Sequence, residues 1–175
     1  MNYAPEAAAV LDLLTQSLPG LRPLGEEDFP QLLSLYEGNS FYNAIALDGP
    51  PTLEQCREDL FGLPPGRTLA HKLFLGLFRQ ETLAACLDLV VGYPDRETLY
   101  LGLLELDQTL HRKGLGTEIV QAVWDAGKQT GFSTVRLGCY LENTPGFSFW
   151  SGEGFREEGR VERNGRILLK MLRPL

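Results

Sequence analysis

Cysteine is scarce in this chain of 175 residues: Cys56, Cys86 and Cys139 are scattered and have no C-x-x-C spacing. Such an odd, dispersed set offers neither a disulfide framework nor a zinc site, and it fits packing thiols in a reduced cytoplasm. Histidine is scarcer still, with two residues, and His71 has no partner at metal-ligand spacing, so no metal is expected. Basic charge is also short. Sixteen Lys and Arg face 23 Asp and Glu, a net charge of −7 that would repel a phosphate backbone, so no nucleic-acid partner is expected and a cationic amine would be attracted. Long apolar runs are missing too: the stretch 83–91 is broken by Asp88, and no basic segment precedes an apolar one near residue 1. Neither a membrane span nor a leader is expected, and no internal repeat or low-complexity tract occurs.

The chain does have 43 % hydrophobic residues, enough at this length for one well-buried core. Val10, Leu11, Leu14 and Leu18 recur at helical spacing over 5–18, and Pro19-Gly20 ends that helix. A short strand is expected at 21–24 and a helix at 26–37, with Pro30 in its first turn and Gly38-Asn39 as its stop. Thr52 can cap a further helix that runs to Leu60. Strands at 72–78, 83–91 and 98–106 form an antiparallel meander. A long helix from Gly114 to Thr130 leads to a strand at 134–141, which makes a right-handed βαβ unit with the third meander strand. A short helix at 145–151 and a hairpin of 155–161 with 166–172, turning at Asn164-Gly165, complete the chain. The fold class is therefore α/β, or α+β: a mixed, mostly antiparallel sheet with helices on both faces.

The most informative segment is the turn between the third meander strand and the long helix. It holds Arg112, Lys113, Gly114, Leu115, Gly116 and Thr117, whose backbone N–H groups would converge on one small volume at a helix N-terminus, as an anion such as a pyrophosphate requires. Two glycines suit a close approach of phosphate to backbone and a tight turn with positive φ. The P-loop pattern is absent, because Thr117 is followed by Glu118. The dinucleotide fingerprint fails as well, since Ile119 stands where its third glycine belongs.

The segment His111-Arg112-Lys113-Gly114-Leu115-Gly116 resembles the Q/R-x-x-G-x-G/A signature of the GNAT superfamily of N-acetyltransferases. A second segment, Asn143 to Phe155, resembles that family's N-x-x-A/G-x-x-F-Y-x-x-x-G-F landmark at every spacing. The resemblance covers roughly residues 70 to 173. It implies an acetyltransferase domain over 21–175, preceded by a helical extension over 1–20, with acetyl-coenzyme A as cosubstrate. It also implies a splayed pair of parallel strands. The backbones of Leu104 and Leu106 would meet the pantetheine arm there, His111 and the turn would meet the pyrophosphate, and Asn143 and Trp150 would lie beside the arm.

The implied reaction moves an acetyl group to a primary amine of a small molecule or a peptide N-terminus, in a monomer or homodimer. Glu105 is a candidate general base and Tyr100 its rival. Protonated His111 would bind phosphate in a pH-dependent way. Trp150 departs from the family's tyrosine, and an indole N–H cannot act as a general acid near neutral pH. That departure leaves a second reading open, a coenzyme A binding module with weak or no transferase chemistry.

Overall fold

The computed structural model describes residues 2–163 and 165–175. Helix α1 (Pro5–Ser17) leads to β1 (Leu21–Pro23), α2 (Phe29–Gly38), α3 (Ser40–Ala46) and α4 (Leu53–Phe61). Strands β2 (Lys72–Arg79), β3 (Thr82–Val91) and β4 (Thr98–Leu106) follow, then α5 (Leu115–Gln129), β5 (Thr134–Tyr140), α6 (Thr144–Gly152), β6 (Arg156–Arg163) and β7 (Arg166–Pro174). Among the described residues the strands form one seven-stranded sheet in the order β1-β2-β3-β4-β5-β7-β6. Strands β4 and β5 pair in parallel, and α5 crosses between them. The Asn164 half of the expected final turn lies outside the described residues.

Alternation along the strands divides the buried side chains between two faces. On one face Leu73, Leu75, Leu87, Leu89, Leu99 and Leu101 pack with Ala7, Val10 and Leu14 of α1 and with Ile119, Val123 and Trp124 of α5. The helix expected at 5–18 thus shares the main core; each fully buried Val or Leu contributes roughly 1.5–3 kcal/mol of transfer free energy. On the other face Phe74, Leu83 and Cys86 pack beneath Leu32, Leu35 and Tyr36 of α2 and Cys56 and Leu60 of α4.

The helix ends follow local chemistry. Thr52 Oγ1 accepts from Gln55 N at the start of α4. Gly131, at φ 87°, ends α5 in a left-handed turn, with Phe132 N bonded to Gly127 O at 2.9 Å and Gly131 N to Lys128 O at 3.2 Å. Helix α3 was not expected, because Gly38-Asn39 reads as a stop. The chain does break at Asn39, but a new helix begins at once. It is fixed to α2 by Asn43, whose Nδ2 donates to Tyr36 O at 2.6 Å.

Candidate active site

Two strands that should lie side by side come apart. The parallel register of β4 and β5 runs from Thr98 opposite Thr134 to Leu101 opposite Leu137, and goes no further. Beyond it β4 stays paired with β3 and β5 with β7, so the two diverge into a wedge. Gly102 is the extra residue of a bulge at the point of divergence, since Leu101 faces Leu89 while Leu103 faces Asp88.

The ladder phase shows which groups the wedge exposes. Asp107 N donates to Ala84 O at 2.9 Å, so the odd positions of this part of β4 bond to β3 and the backbones of Leu104 and Leu106 turn toward the wedge. Across it, the Leu141 N to Ile167 O bond at 2.9 Å turns the backbones of Gly138 and Tyr140 inward in the same way. An unpaired strand edge on each side is what an extended, amide-bearing ligand needs for pairing.

The turn ahead of α5 opens beside the wedge. Among the described residues the N–H groups of Arg112 to Thr117 meet no acceptor outside the helix, and the first bond is Glu118 N to Gly114 O at 2.9 Å. The two glycines serve different ends. Gly114 sits at φ 87°, and a Cβ there would meet nothing within 4 Å, so its requirement is conformational. Gly116 has no such need. A Cβ there would meet the Phe149 ring at 3.2 Å, so this glycine lets α5 approach α6. Arg112 also has positive φ, at 59°, and its exposed side chain and that of Lys113 flank the turn. Leu115 is buried in the core, so only its N–H faces the turn. Thr117 Oγ1 donates to Glu153 Oε1 at 2.8 Å, which leaves its backbone as the group available to a ligand.

Other expected residues take different partners. The ring of His111 turns back onto the strand, with Nε2 3.1 Å from Leu106 O; a carbonyl only accepts, so Nε2 carries the proton there. Asn143 Oδ1 accepts from Gly146 N at 3.1 Å and caps α6. Trp150 is buried, with its ring 4.8 Å from Phe149 and 5.4 Å from Phe155, so it walls the core behind the wedge. Tyr100 lies in the paired part of β4, stacked edge-on with Tyr93 at 5.3 Å, and burial raises its phenol above the ordinary value. Glu105 stands five residues further along β4, in the unpaired part.

Glu105 is 7 % exposed, and its Oε1 has no hydrogen-bond partner among the described residues. Burial first, and the nearby Asp59 carboxylate second, push its carboxyl up to about 8; the Asn39 amide partly offsets them. The surrounding groups come from helices in which sequence inspection found no motif. Tyr36 Oη donates to Asp59 Oδ2 at 2.8 Å, and burial followed by repulsion from Glu105 raises the Tyr42 phenol. Asn39 Nδ2 donates to Leu106 O at 2.9 Å. Further along the same face Lys72 Nζ donates to Asp88 Oδ2 at 2.9 Å, and burial pushes Asp88 up to about 6 despite that cation. Asp95 caps its own turn, accepting from Thr98 Oγ1 at 2.8 Å.

Residues 34–155 match the acetyltransferase (GNAT) family. The chain belongs to that family. It is thus a transferase enzyme of the N-acetyltransferase class. An acetyltransferase from Thermus thermophilus superposes with a TM-score of 0.71 at 27 % identity, over 89 % of this chain and 96 % of that one. The PaiA N-acetyltransferase from Thermoplasma acidophilum, solved with coenzyme A, gives 0.65 at 21 % identity over 89 % and 98 % of the two chains. The ribosomal-protein-S18-alanine N-acetyltransferase of Escherichia coli gives 0.64 at 16 % over 88 % and 92 %; at these lower identities the likeness is one of fold. No curated protein matches this acetyltransferase in sequence.

Proposed function

We propose that this acetyltransferase takes its acetyl group from acetyl-coenzyme A and delivers it to a primary amine of a small molecule or a peptide N-terminus. The observation that carries the reading is the wedge between β4 and β5 beyond Leu101 and Leu137, opening beside a turn of six unpartnered N–H groups. The residues present fit such a donor. The turn offers main-chain donors to a pyrophosphate, and the Leu104 and Leu106 edge offers pairing to the amides of a pantetheine arm. When bound, acetyl-coenzyme A supplies a thioester, an acyl group on a good leaving thiol.

The protein's share is mostly positioning. The Leu106 N–H, aimed into the wedge, polarises the carbonyl that is attacked. Glu105 accepts, directly or through water, the proton that the amine loses as its nitrogen forms the new C–N bond and the C–S bond breaks. Trp150 donates no proton; a thiolate with a parent pKa of about 8.5 leaves adequately and takes its proton from solvent. The acidic chain favours a cationic acceptor.

The test is thiol release from acetyl-coenzyme A with a panel of amines and short peptides, with the acetylated product weighed by mass spectrometry. Turnover with at least one amine is expected, together with a stabilisation of about 2.7 kcal/mol when coenzyme A is at ~100 times its dissociation constant. Absence of both would end the reading. Stabilisation without turnover on any amine would favour the binding-module alternative, which the buried, non-acidic Trp150 accommodates.

A further inference from the structure

Asn39 stands where α2 breaks and α3 begins, 7 % exposed. An asparagine at that place ordinarily caps the second helix, but this one makes no side-chain cap bond. Its Nδ2 donates instead to Leu35 O at 3.0 Å and to Leu106 O at 2.9 Å, the latter 67 residues away. Both partners are carbonyls, which accept only, so the amide's orientation is settled by its neighbours. The Leu106 carbonyl needs such a donor. The phase of β4 turns it to the side where β5 has departed, so no strand is there to bond it.

We infer that Asn39 is a positioning residue for acetyl transfer, tying the open end of β4 to the α2–α3 junction so that Glu105 and the Leu106 N–H hold their places in the wedge. The inference rests on the transferase reading above. Glu105 and Leu106 are adjacent in the unpaired part of the strand, and the peptide that follows them is the one Asn39 grips. Without that grip, two buried carbonyls lose a donor and the end of β4 is held on this side by His111 alone. The groups that face Glu105 from the surrounding elements are Tyr36 on α2, Tyr42 on α3, Cys56 and Asp59 on α4 and Cys86 on β3. None is altered by a change at position 39, so any displacement of the Glu105 titration in such a variant reports on Asn39.

The experiment compares wild type, Asn39→Ala and Asn39→Ser by steady-state kinetics across pH 6 to 9.5, and titrates the Glu105 carboxyl by carbon-13 NMR in each. For Asn39→Ala a fall of about tenfold in kcat is expected, the rate equivalent of one hydrogen bond. KM for acetyl-coenzyme A should stay within about twofold, because the turn ahead of α5 is untouched. The Glu105 midpoint should move, because the strand peptide that follows it loses its anchor. Asn39→Ser keeps a hydroxyl donor and should recover part of both; if the alanine variant does not fold, the serine variant bears the comparison. An unchanged Glu105 titration, or a loss spread equally over kcat and KM, overturns the inference. If wild type turns over no amine, the transferase reading fails by itself, and the titration still decides whether Asn39 governs Glu105.

Discussion

Asn39 and His111 donate to a single oxygen, the carbonyl of Leu106, at 2.9 and 3.1 Å. One reaches it from the α2–α3 junction and the other from the turn ahead of α5, so those helices and that turn are joined through one residue of β4. Both lone pairs of that carbonyl are engaged by side chains, in a part of the sheet where no neighbouring strand is available. Replacing His111 with Gln, which keeps an amide donor, should leave kcat near wild type. His111→Ala should lower it several-fold, as steady-state assays at pH 7.5 would show.

Glu105 gives a two-part prediction. Its folded carboxyl titrates at about 8 against an ordinary value of 4.5, so between those values the folded state holds a proton that the unfolded state releases. The associated stability is present below pH 4.5 and is lost as pH rises through about 8. Glu105→Gln removes the titration, and its melting temperature relative to wild type should climb from pH 6 and level off above about pH 8. Its kcat/KM should fall by ~10²-fold or more if the carboxylate is the base, while the wild-type rate should rise with pH toward a plateau above about 8. A variant that retains full activity would transfer the role to water or to another group.

The two glycines of the turn should respond differently to alanine. Gly114→Ala forces an L-residue to φ 87° and should cost about 1–2 kcal/mol in chemical denaturation, with weaker coenzyme A binding as the turn relaxes. Gly116→Ala presses a methyl group toward the edge of Phe149, and shortening that side chain to Leu in the same molecule should recover most of its deficit. Calorimetric titration with coenzyme A distinguishes the pair.

Trp150 is a matter of packing. Trp150→Ala should lose about 3–5 kcal/mol of stability by opening the aromatic cluster with Phe149 and Phe155. Trp150→Phe, which keeps a ring but no N–H, should turn over within a few-fold of wild type. A large loss of kcat in a well-folded Trp150→Phe protein would restore a chemical role to the indole.

Lys72 and Asp88 form a buried pair beneath α4, with Lys72 Nζ also bonded to Gly62 O at 2.9 Å. Lys72→Met strands a carboxylate and should destabilise by about 3–5 kcal/mol at neutral pH. The deficit should shrink as pH falls toward about 6, because without the Lys72 cation Asp88 takes up its proton above its wild-type midpoint, and adding Asp88→Asn should recover much of it. Urea titrations at pH 5 and pH 8 measure both effects.

The meander and the turn were legible because each is written locally. Near-continuous apolar runs mark β2, β3 and β4, and the pair Gly114 and Gly116 marks a strand-to-helix turn whose N–H groups are free. Helix α3 was not legible, since SFYNAIA follows a stop signal and its attachment depends on Asn43 reaching the Tyr36 carbonyl. The same holds for Asn39 at Leu106 and for Asp59 near Glu105, which are meetings across long stretches of chain between residues that carry no motif. His111 was expected to offer its side chain to phosphate; its ring found an intramolecular acceptor that only the folded chain supplies. A scan for polar residues at helix breaks would have drawn attention to Asn39, but not to its partner.

The edge exposed by the parting of β4 from β5 is built of peptide groups alone. Truncating Leu104 or Leu106 to a methyl would trim contacts with the core while leaving those amides in place, so side-chain scanning would pass over the very atoms expected to grip the donor. Revealing them calls for backbone chemistry, such as an ester in place of the amide at Leu106.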